Sequence, residues 1–164
     1  MPHEPRLTRD LRQLLQGQRI AAIGTINEDG TPFVSMAPFA IEPVDGFLVL
    51  HVSALAAHTR NMQLRSALSV LVMQAELAGE PVHALPRATL DGRAHFLPPG
   101  SAPWQAGRSA YLTRFPEAEP MTALGDFSFV AVEVLGARQI AGFGAARSVD
   151  ADEVRRALAG NMDI

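Results

Sequence analysis

The sequence contains no cysteine, which excludes disulfide bonds, thiolate zinc sites and a cysteine nucleophile. It also has no apolar run near the roughly 20 residues of a membrane-spanning helix, since the best run is Phe47–Leu50. Its 14 Lys and Arg against 17 Asp and Glu give a net charge of -3, without the basic excess of a nucleic-acid-binding protein. The first residues lack the basic and then apolar order of a signal peptide, so we predict a cytoplasmic protein.

The composition is that of one folded domain. Of the 164 residues, 48% are apolar and 19% are charged, which excludes a disordered chain. Two prolines in the first six residues predict a flexible N-terminal arm at residues 1–6. A single domain is then expected at residues 7–164, with a last helix at about residues 150–160.

Hydrophobic periodicity predicts more strands than helices. Short turn clusters at Asn27–Gly30 and Glu42–Gly46 join successive strands, and strands do not alternate regularly with helices. The sequence therefore predicts a mainly β fold, an antiparallel barrel with accessory helices. The predicted strands are 19–26, 31–41, 47–52, 67–75 (a buried strand), 87–97 and 127–140, and the predicted helices are 7–17, 53–65, 102–114 and 150–160. We expect a bulge at Asp91-Gly92, an Asp150 cap on the last helix and Gly160 as its end.

Several common catalytic motifs are absent. Gly142–Arg147 begins like a dinucleotide-binding fingerprint, but Arg147 stands where the third small residue belongs. No P-loop, nucleophile elbow or His-Glu-x-x-His motif occurs in the chain. The five histidines are not spaced with carboxylates as metal ligands are, so we expect no metal site.

The segment Leu50–Met62 carries the pattern of an anion-binding site. A strand leads into a helix, for which Ser53 is the predicted N-cap, and the free N–H groups of such a helix end favour a phosphate. Arg60 adds a fixed charge, and His58 adds a hydrogen-bond donor. The alternative is a solvated helix face on which Ser53 serves only as a cap.

A second candidate segment is Pro32–Phe39, which mixes small, polar and apolar residues in an extended pattern. Pro38 removes one backbone donor, which is typical of an edge strand or a bulge. Such a strand can present backbone N–H and C=O groups to a flat heterocycle. The alternative is an ordinary edge strand.

Five segments occur in an order that is characteristic of a known family: Pro32–Phe39, Ser53–Asn61, Leu85–Ala94, Tyr111–Ala118 and Gly142–Gly144. Together they resemble the pyridoxamine 5′-phosphate oxidase-like family, the FMN-binding split barrels, and are closest to its haem-utilisation branch. The resemblance covers about residues 7–146 of the chain.

The resemblance implies a six-stranded split barrel that forms a homodimer, with FMN bound in each of two clefts at the subunit interface. It places Ser35, Met36 and Ala37 along the flavin edge and Arg87 near the flavin. It places four residues around the phosphate: Ser53, His58, Thr59 and Arg60. The function it implies is that of an FMN-dependent oxidoreductase acting on a small molecule, in which the flavin carries out the redox chemistry.

Three departures from the family pattern keep other functions open. Ser35 and Ala57-His58 stand where vitamin B6 oxidases have cationic residues, and the segment Arg147–Ile164 contains no histidine. A haem-binding or haem-degrading protein is the alternative, and its iron would require His51, His58, His83 or His95 as a ligand. A third possibility is a dimeric binding module that has lost its cofactor.

Overall fold

The computed structural model describes residues 3–159, in which strands joined by short turns dominate, as predicted. The helices are α1 (Arg6–Gly17), α2 (Ala57–Leu64), α3 (Ala102–Arg114) and α4 (Ala151–Leu158). The strands are β1 (Ile20–Ile26), β2 (Pro32–Pro38), β3 (Ala40–Glu42), β4 (Phe47–Ser53), β5 (Ala67–Met73), β6 (Arg87–Phe96), β7 (Phe127–Ile140) and β8 (Ala146–Asp150). Two 3-10 helices, Val82–Ala84 and Pro116–Ala123, lie in the loops that precede β6 and β7.

The strands form one antiparallel sheet in the order β2-β1-β5-β6-β7-β4-β3. Strand β7 is long enough to pair with β6 along one edge and with two strands along the other, first β4 and then β8. Only Phe39 separates β2 from β3, although these strands are the two ends of the order. The sheet therefore has to curl, which gives a mainly β half-barrel with accessory helices.

The structure has eight strands among the described residues, where the sequence predicts six. The predicted strand 31–41 is divided at Phe39, whose N–H still donates to the Arg19 carbonyl at 3.0 Å in the β1–β2 register, whereas Ala40–Glu42 pair with β4. Strand β8 is the second addition. It has only one buried side chain, Val149, and so gives little periodic signal.

The ends of the chain are tied to the barrel by polar contacts. Helix α1 begins at Arg6, and the Glu4 carboxylate accepts from Arg12 Nη2 at 2.6 Å, while Met1 and Pro2 of the predicted arm lie outside the described residues. The predicted cap of α4 is confirmed, because Asp150 Oδ1 accepts from the Glu153 N–H at 2.8 Å. The predicted end of that helix, Gly160, lies outside the described residues.

The core consists of two apolar clusters on opposite faces of β4. Leu48 and Leu50 are fully buried inside the barrel, whereas Val49 lies under α3 with Tyr111 and Phe129. Helices α1 and α4 pack on the barrel cluster. The prediction of a strand buried on both faces is wrong for β5, which alternates exposed and buried residues because an antiparallel sheet commonly covers only one face. None of the helices within residues 3–159 has both the length and the hydropathy needed to cross a bilayer.

The predicted bulge is confirmed by a shift of the β6–β7 register between Asp91 and Gly92. A Cβ atom on Gly92 would lie 2.6 Å from Val132 Cγ1, a β-branched side chain that is fully buried. We expect Gly92→Ala to lower the free energy of unfolding by about 1–3 kcal/mol, because the packed core cannot give way. Urea unfolding measures this change. Gly17→Ala is the matched control, since nothing lies within 4 Å of the Cβ it would add, and an equal loss in both variants would contradict the prediction.

Candidate functional site

The junction between β4 and α2 differs from the predicted helix start. Ser53 is not the N-cap of α2, because the helix begins four residues later, at Ala57. The Ala54 N–H donates to the Asp126 carbonyl at 2.7 Å, which holds the chain in a turn before the helix starts. The Ser53 hydroxyl accepts from the Leu55 N–H at 3.2 Å, and Thr59 Oγ1 donates to the Ser53 carbonyl at 2.6 Å. The two hydroxyl groups predicted to bind a phosphate therefore stabilise this turn.

Helix α2 is fastened to the β1–β2 hairpin by a buried polar network. Asn61 is 5% exposed, and its Nδ2 donates to Thr25 Oγ1 and to Asn27 Oδ1, both at 3.0 Å. Arg65 donates to the Asn27 carbonyl at 2.6 Å and to the Glu28 carbonyl at 3.2 Å. Because a buried amide without partners is costly, these contacts fix the position of the helix on the hairpin.

The structure brings two of the predicted residues into direct contact. Ser35 Oγ on β2 lies 2.9 Å from His58 Nδ1 on α2, and both side chains are half-buried. Burial lowers the pKa of His58 below its usual 6.5, so the imidazole is neutral near neutral pH. Ser35 and His58 thus form a polar pair where α2 meets the free edge of the sheet.

The other predicted site residues lie apart from this pair. Arg60 points to the hairpin turn, where its Nη2 lies 2.8 Å from Glu28 Oε2. Met36 is 60% exposed on the outer face of β2, and Ala37 is buried in the barrel core. Arg87 begins β6, three strands away from β2, and donates to the Leu85 carbonyl at 2.9 Å. Within one protomer, the structure does not gather all eight residues around one ligand.

His51 occupies an aromatic environment that the sequence does not predict. Its ring centroid lies 4.4 Å from that of Phe129, 4.9 Å from that of Phe127 and 5.6 Å from that of Tyr111. Its Nδ1 atom is buried and has no hydrogen-bond partner among the described residues. Tyr111 is part of the core cluster under α3, and Trp104 packs edge-on against Phe129 with ring centroids 5.6 Å apart.

Burial lowers the pKa of His51 below 6.5, which makes the stability of the fold dependent on pH. The unfolded chain protonates its histidines near pH 6.5, while the folded protein resists protonation, so stability is retained above this pH and is lost as the pH falls. We expect the free energy of unfolding to fall as the pH is lowered from about 7.5 to about 5.5. The variant His51→Phe should show roughly half of this decrease, because His58 contributes to the pH dependence as well. Urea unfolding at both pH values measures the free energy of unfolding of each protein. The exposed His83→Gln is the control, and equal falls in wild type and His51→Phe would contradict the assignment.

Sequence reasoning missed the residues that position α2. Asn27 was visible only as part of a turn cluster, and Thr25 only as a strand residue. Asn61 is the last residue of Ser53–Asn61, one of the segments that carry the family resemblance. This position was the one sequence signal that pointed to Asn61. Its partner lies 36 residues earlier, so the contact depends on how the helix docks.

A protein-family model described as "CREG, beta-barrel" matches residues 4–155. The haem oxygenase HutZ of Vibrio cholerae is 27% identical over 150 residues, which are 91% of this chain and 84% of that protein. The chloroplastic haem oxygenase HOZ of Arabidopsis thaliana is 32% identical over 136 residues, which are 81% of this chain and 40% of that protein. The chain thus spans most of HutZ and less than half of HOZ.

Solved structures share the fold. A haem-binding protein from Mycobacterium smegmatis superposes with a TM-score of 0.83 at 24% identity, over 94% of this chain and 62% of that protein. A protein of the pyridoxinephosphate oxidase family from Clostridium acetobutylicum superposes with a TM-score of 0.66 at 12% identity, over 91% of this chain and 97% of that protein. The predicted split-barrel resemblance is confirmed at the level of the fold.

Proposed function

The chain belongs to the CREG β-barrel family, and from this premise we propose that it binds haem and degrades it. The observation that carries the proposal is that HutZ and HOZ, matched over 91% and 81% of this chain, are both named haem oxygenases. Haem was the alternative to FMN in the sequence analysis, and these relatives support it over FMN. The cytoplasmic location stays a prediction.

The described residues fit the needs of a haem group. Haem requires a nitrogen ligand for its iron and apolar surface for its flat ring. Four histidines other than His3 lie between residues 51 and 95, and burial keeps two of them, His51 and His58, neutral, as a ligand must be. Leu55, in the turn that precedes α2, is 90% exposed and provides apolar surface. When bound, the iron supplies the oxygen chemistry, while the protein positions and encloses the group.

We further propose that the protein is a homodimer whose cofactor cleft lies at the interface. The outer face of β1, β2 and β5 supports this proposal, because these three strands contain no charged residue. Exposed apolar side chains cover it, including Ile20, Val34, Met36 and Met73. Such a face suits a second copy of the chain.

Titration of the purified protein with hemin tests the proposed function. We expect a Soret band that saturates at one haem per chain, and its loss when a reductant and dioxygen are then added, because haem oxidation consumes both. Hemin in buffer without protein is the control for spontaneous bleaching. Absorbance that rises in proportion to added hemin without saturation would contradict haem binding, and a saturated band that bleaches only at the control rate would contradict degradation.

FMN is the second candidate. It is favoured by the fold shared with the Clostridium protein and by the anion-binding pattern around His58 and Arg60. If FMN binds through its phosphate there, the double variant His58→Ala/Arg60→Ala should weaken binding at least about tenfold, since charge-assisted hydrogen bonds are lost. Quenching of FMN fluorescence measures this affinity. The absorbance spectrum of the protein as purified distinguishes bound flavin from bound haem. If neither cofactor binds after reconstitution, the dimeric binding module without a cofactor is favoured.

A further inference from the structure

The imidazole of His58 is held in one orientation with one ring nitrogen available. Its Nδ1 lies 2.9 Å from Ser35 Oγ, whereas its Nε2 has no hydrogen-bond partner within residues 3–159. The side chain is half-buried. When Ser35 accepts from Nδ1–H, the lone pair of a neutral imidazole is on Nε2. A protein histidine that binds a metal through Nε2 has this tautomer, with its Nδ1–H donated to a hydrogen-bond acceptor.

The backbone that carries His58 is rigid. Asn61, one helical turn later, is 5% exposed and donates to Thr25 and Asn27 of the β1–β2 hairpin. Thr59, the next residue, is 1% exposed and donates to the Ser53 carbonyl. His58 therefore meets a ligand with its orientation already set, which lowers the entropic cost of binding.

The other described histidines present less suitable nitrogens. His51 packs among three aromatic rings with centroids within 5.6 Å, and no hydrogen bond within residues 3–159 fixes which of its ring nitrogens is protonated. His95 uses its Nε2 to contact Glu133 Oε2 at 2.9 Å, which leaves the Nδ1 atom beside its own backbone. His83 is exposed on a short 3-10 helix, with no side-chain contact that orients it among the described residues.

Resting on the haem binding proposed above, we propose that His58 is the axial ligand of the haem iron through Nε2 and that Ser35 selects the tautomer that exposes this atom. The ligand thus comes from the start of α2, and no histidine in the segment 147–164 is required. Leu55, 90% exposed in the turn before the helix, provides apolar surface for the porphyrin. His58 would be the residue that binds the iron, and Ser35 a positioning residue.

The test uses the full-length chain and its variants His58→Ala, His58→Gln, Ser35→Ala and His83→Ala, each loaded with hemin. We expect His58→Ala to shift the Soret band and to raise the haem dissociation constant at least about tenfold, because the iron loses its protein ligand. Added imidazole should restore the wild-type spectrum. Ser35→Ala should still bind haem but should change the iron–histidine stretching frequency in resonance Raman spectra, which a merely structural role would not move. His83→Ala should match the wild type.

The possible outcomes separate this inference from the proposed function. Wild-type spectra in both His58 variants, with a changed spectrum in His83→Ala or in an added His95→Ala, would overturn the assignment of His58 while haem binding stands. An unchanged stretching frequency in Ser35→Ala would overturn the role of Ser35. If the wild type binds no haem, both the function and the inference fail. Circular dichroism shows whether each variant is folded, and His58→Gln serves if His58→Ala does not fold.

Discussion

Replacement of Arg114 by Ala is expected to lower the free energy of unfolding by about 2–4 kcal/mol, because several backbone carbonyls lose a charged donor at once. Arg114 Nη1 donates to the Gln18 and Phe39 carbonyls at 2.8 and 3.1 Å. Its Nη2 donates to the Gln16 carbonyl at 2.9 Å, and its guanidinium lies 5.1 Å from the centroid of the Phe39 ring. One side chain at the end of α3 therefore connects the last turn of α1 to the β2–β3 junction.

The size of this effect follows from the groups that are left behind. Carbonyls at the end of a helix have no partner within the helix, so removing their shared donor leaves them unsatisfied. Phe39 is fully buried and also loses the cation over its ring. Urea unfolding of the variant measures the loss.

Arg155→Ala is the matched control for Arg114→Ala. Arg155 Nη2 lies 2.6 Å from Asp152 Oδ1, but the two side chains are 51% and 75% exposed. An exposed pair of this kind contributes about 0–1 kcal/mol, so the control should change stability little. Similar losses in the two variants would show that the carbonyl contacts of Arg114 contribute nothing beyond an ordinary surface charge.

Much of the fold can be predicted from local sequence signals. The strand Phe127–Ile140 and the helix Ala102–Arg114 have the predicted bounds, because a long apolar strand pattern and a Ser-Ala-Pro helix start are strong signals. Ser101 Oγ accepts from the Trp104 N–H at 3.3 Å, as an N-cap does. The break at Phe39 and the short β8 were missed, because one residue separates β2 from β3 and β8 has only one buried side chain.

Two of the predicted site residues come together in the structure, but their contact was not predicted from the sequence. The family resemblance named both Ser35 and His58, one at the flavin edge and the other at the phosphate, whereas the structure joins them at 2.9 Å. Ser53 was a reasonable N-cap by residue type, yet the hydrogen bonds of Ala54 to Asp126 and of Thr59 to Ser53 hold a turn there, and the helix begins at Ala57. Such outcomes depend on tertiary contacts, which override local preference.

Met36→Asp is expected to convert the dimer into a monomer of about 17.6 kDa, because it places two carboxylates near the centre of the interface that we propose. Met36 is 60% exposed. It pairs with Ala22 of β1, and Ala22 pairs with Leu71 of β5, so Met36 lies in a row of apolar residues across three strands. Strands without charged residues can pack on the same strands of a second protomer across a two-fold axis. A charged residue near that axis would lie close to the identical charge of the partner. Size-exclusion chromatography with light scattering gives the mass.

Met121→Asp is the control, since it makes the same substitution at a methionine that is 43% exposed on the 3-10 helix Pro116–Ala123, outside the three strands. It should remain dimeric and bind haem as the wild type does. Met36→Asp should also bind haem at least about tenfold more weakly, since a cleft between protomers loses one wall when they separate. A wild-type monomer, or a dimer that survives Met36→Asp, would show that the outer face of β1, β2 and β5 is not the interface. A Met36→Asp monomer with unchanged haem affinity would place the cofactor within a single protomer.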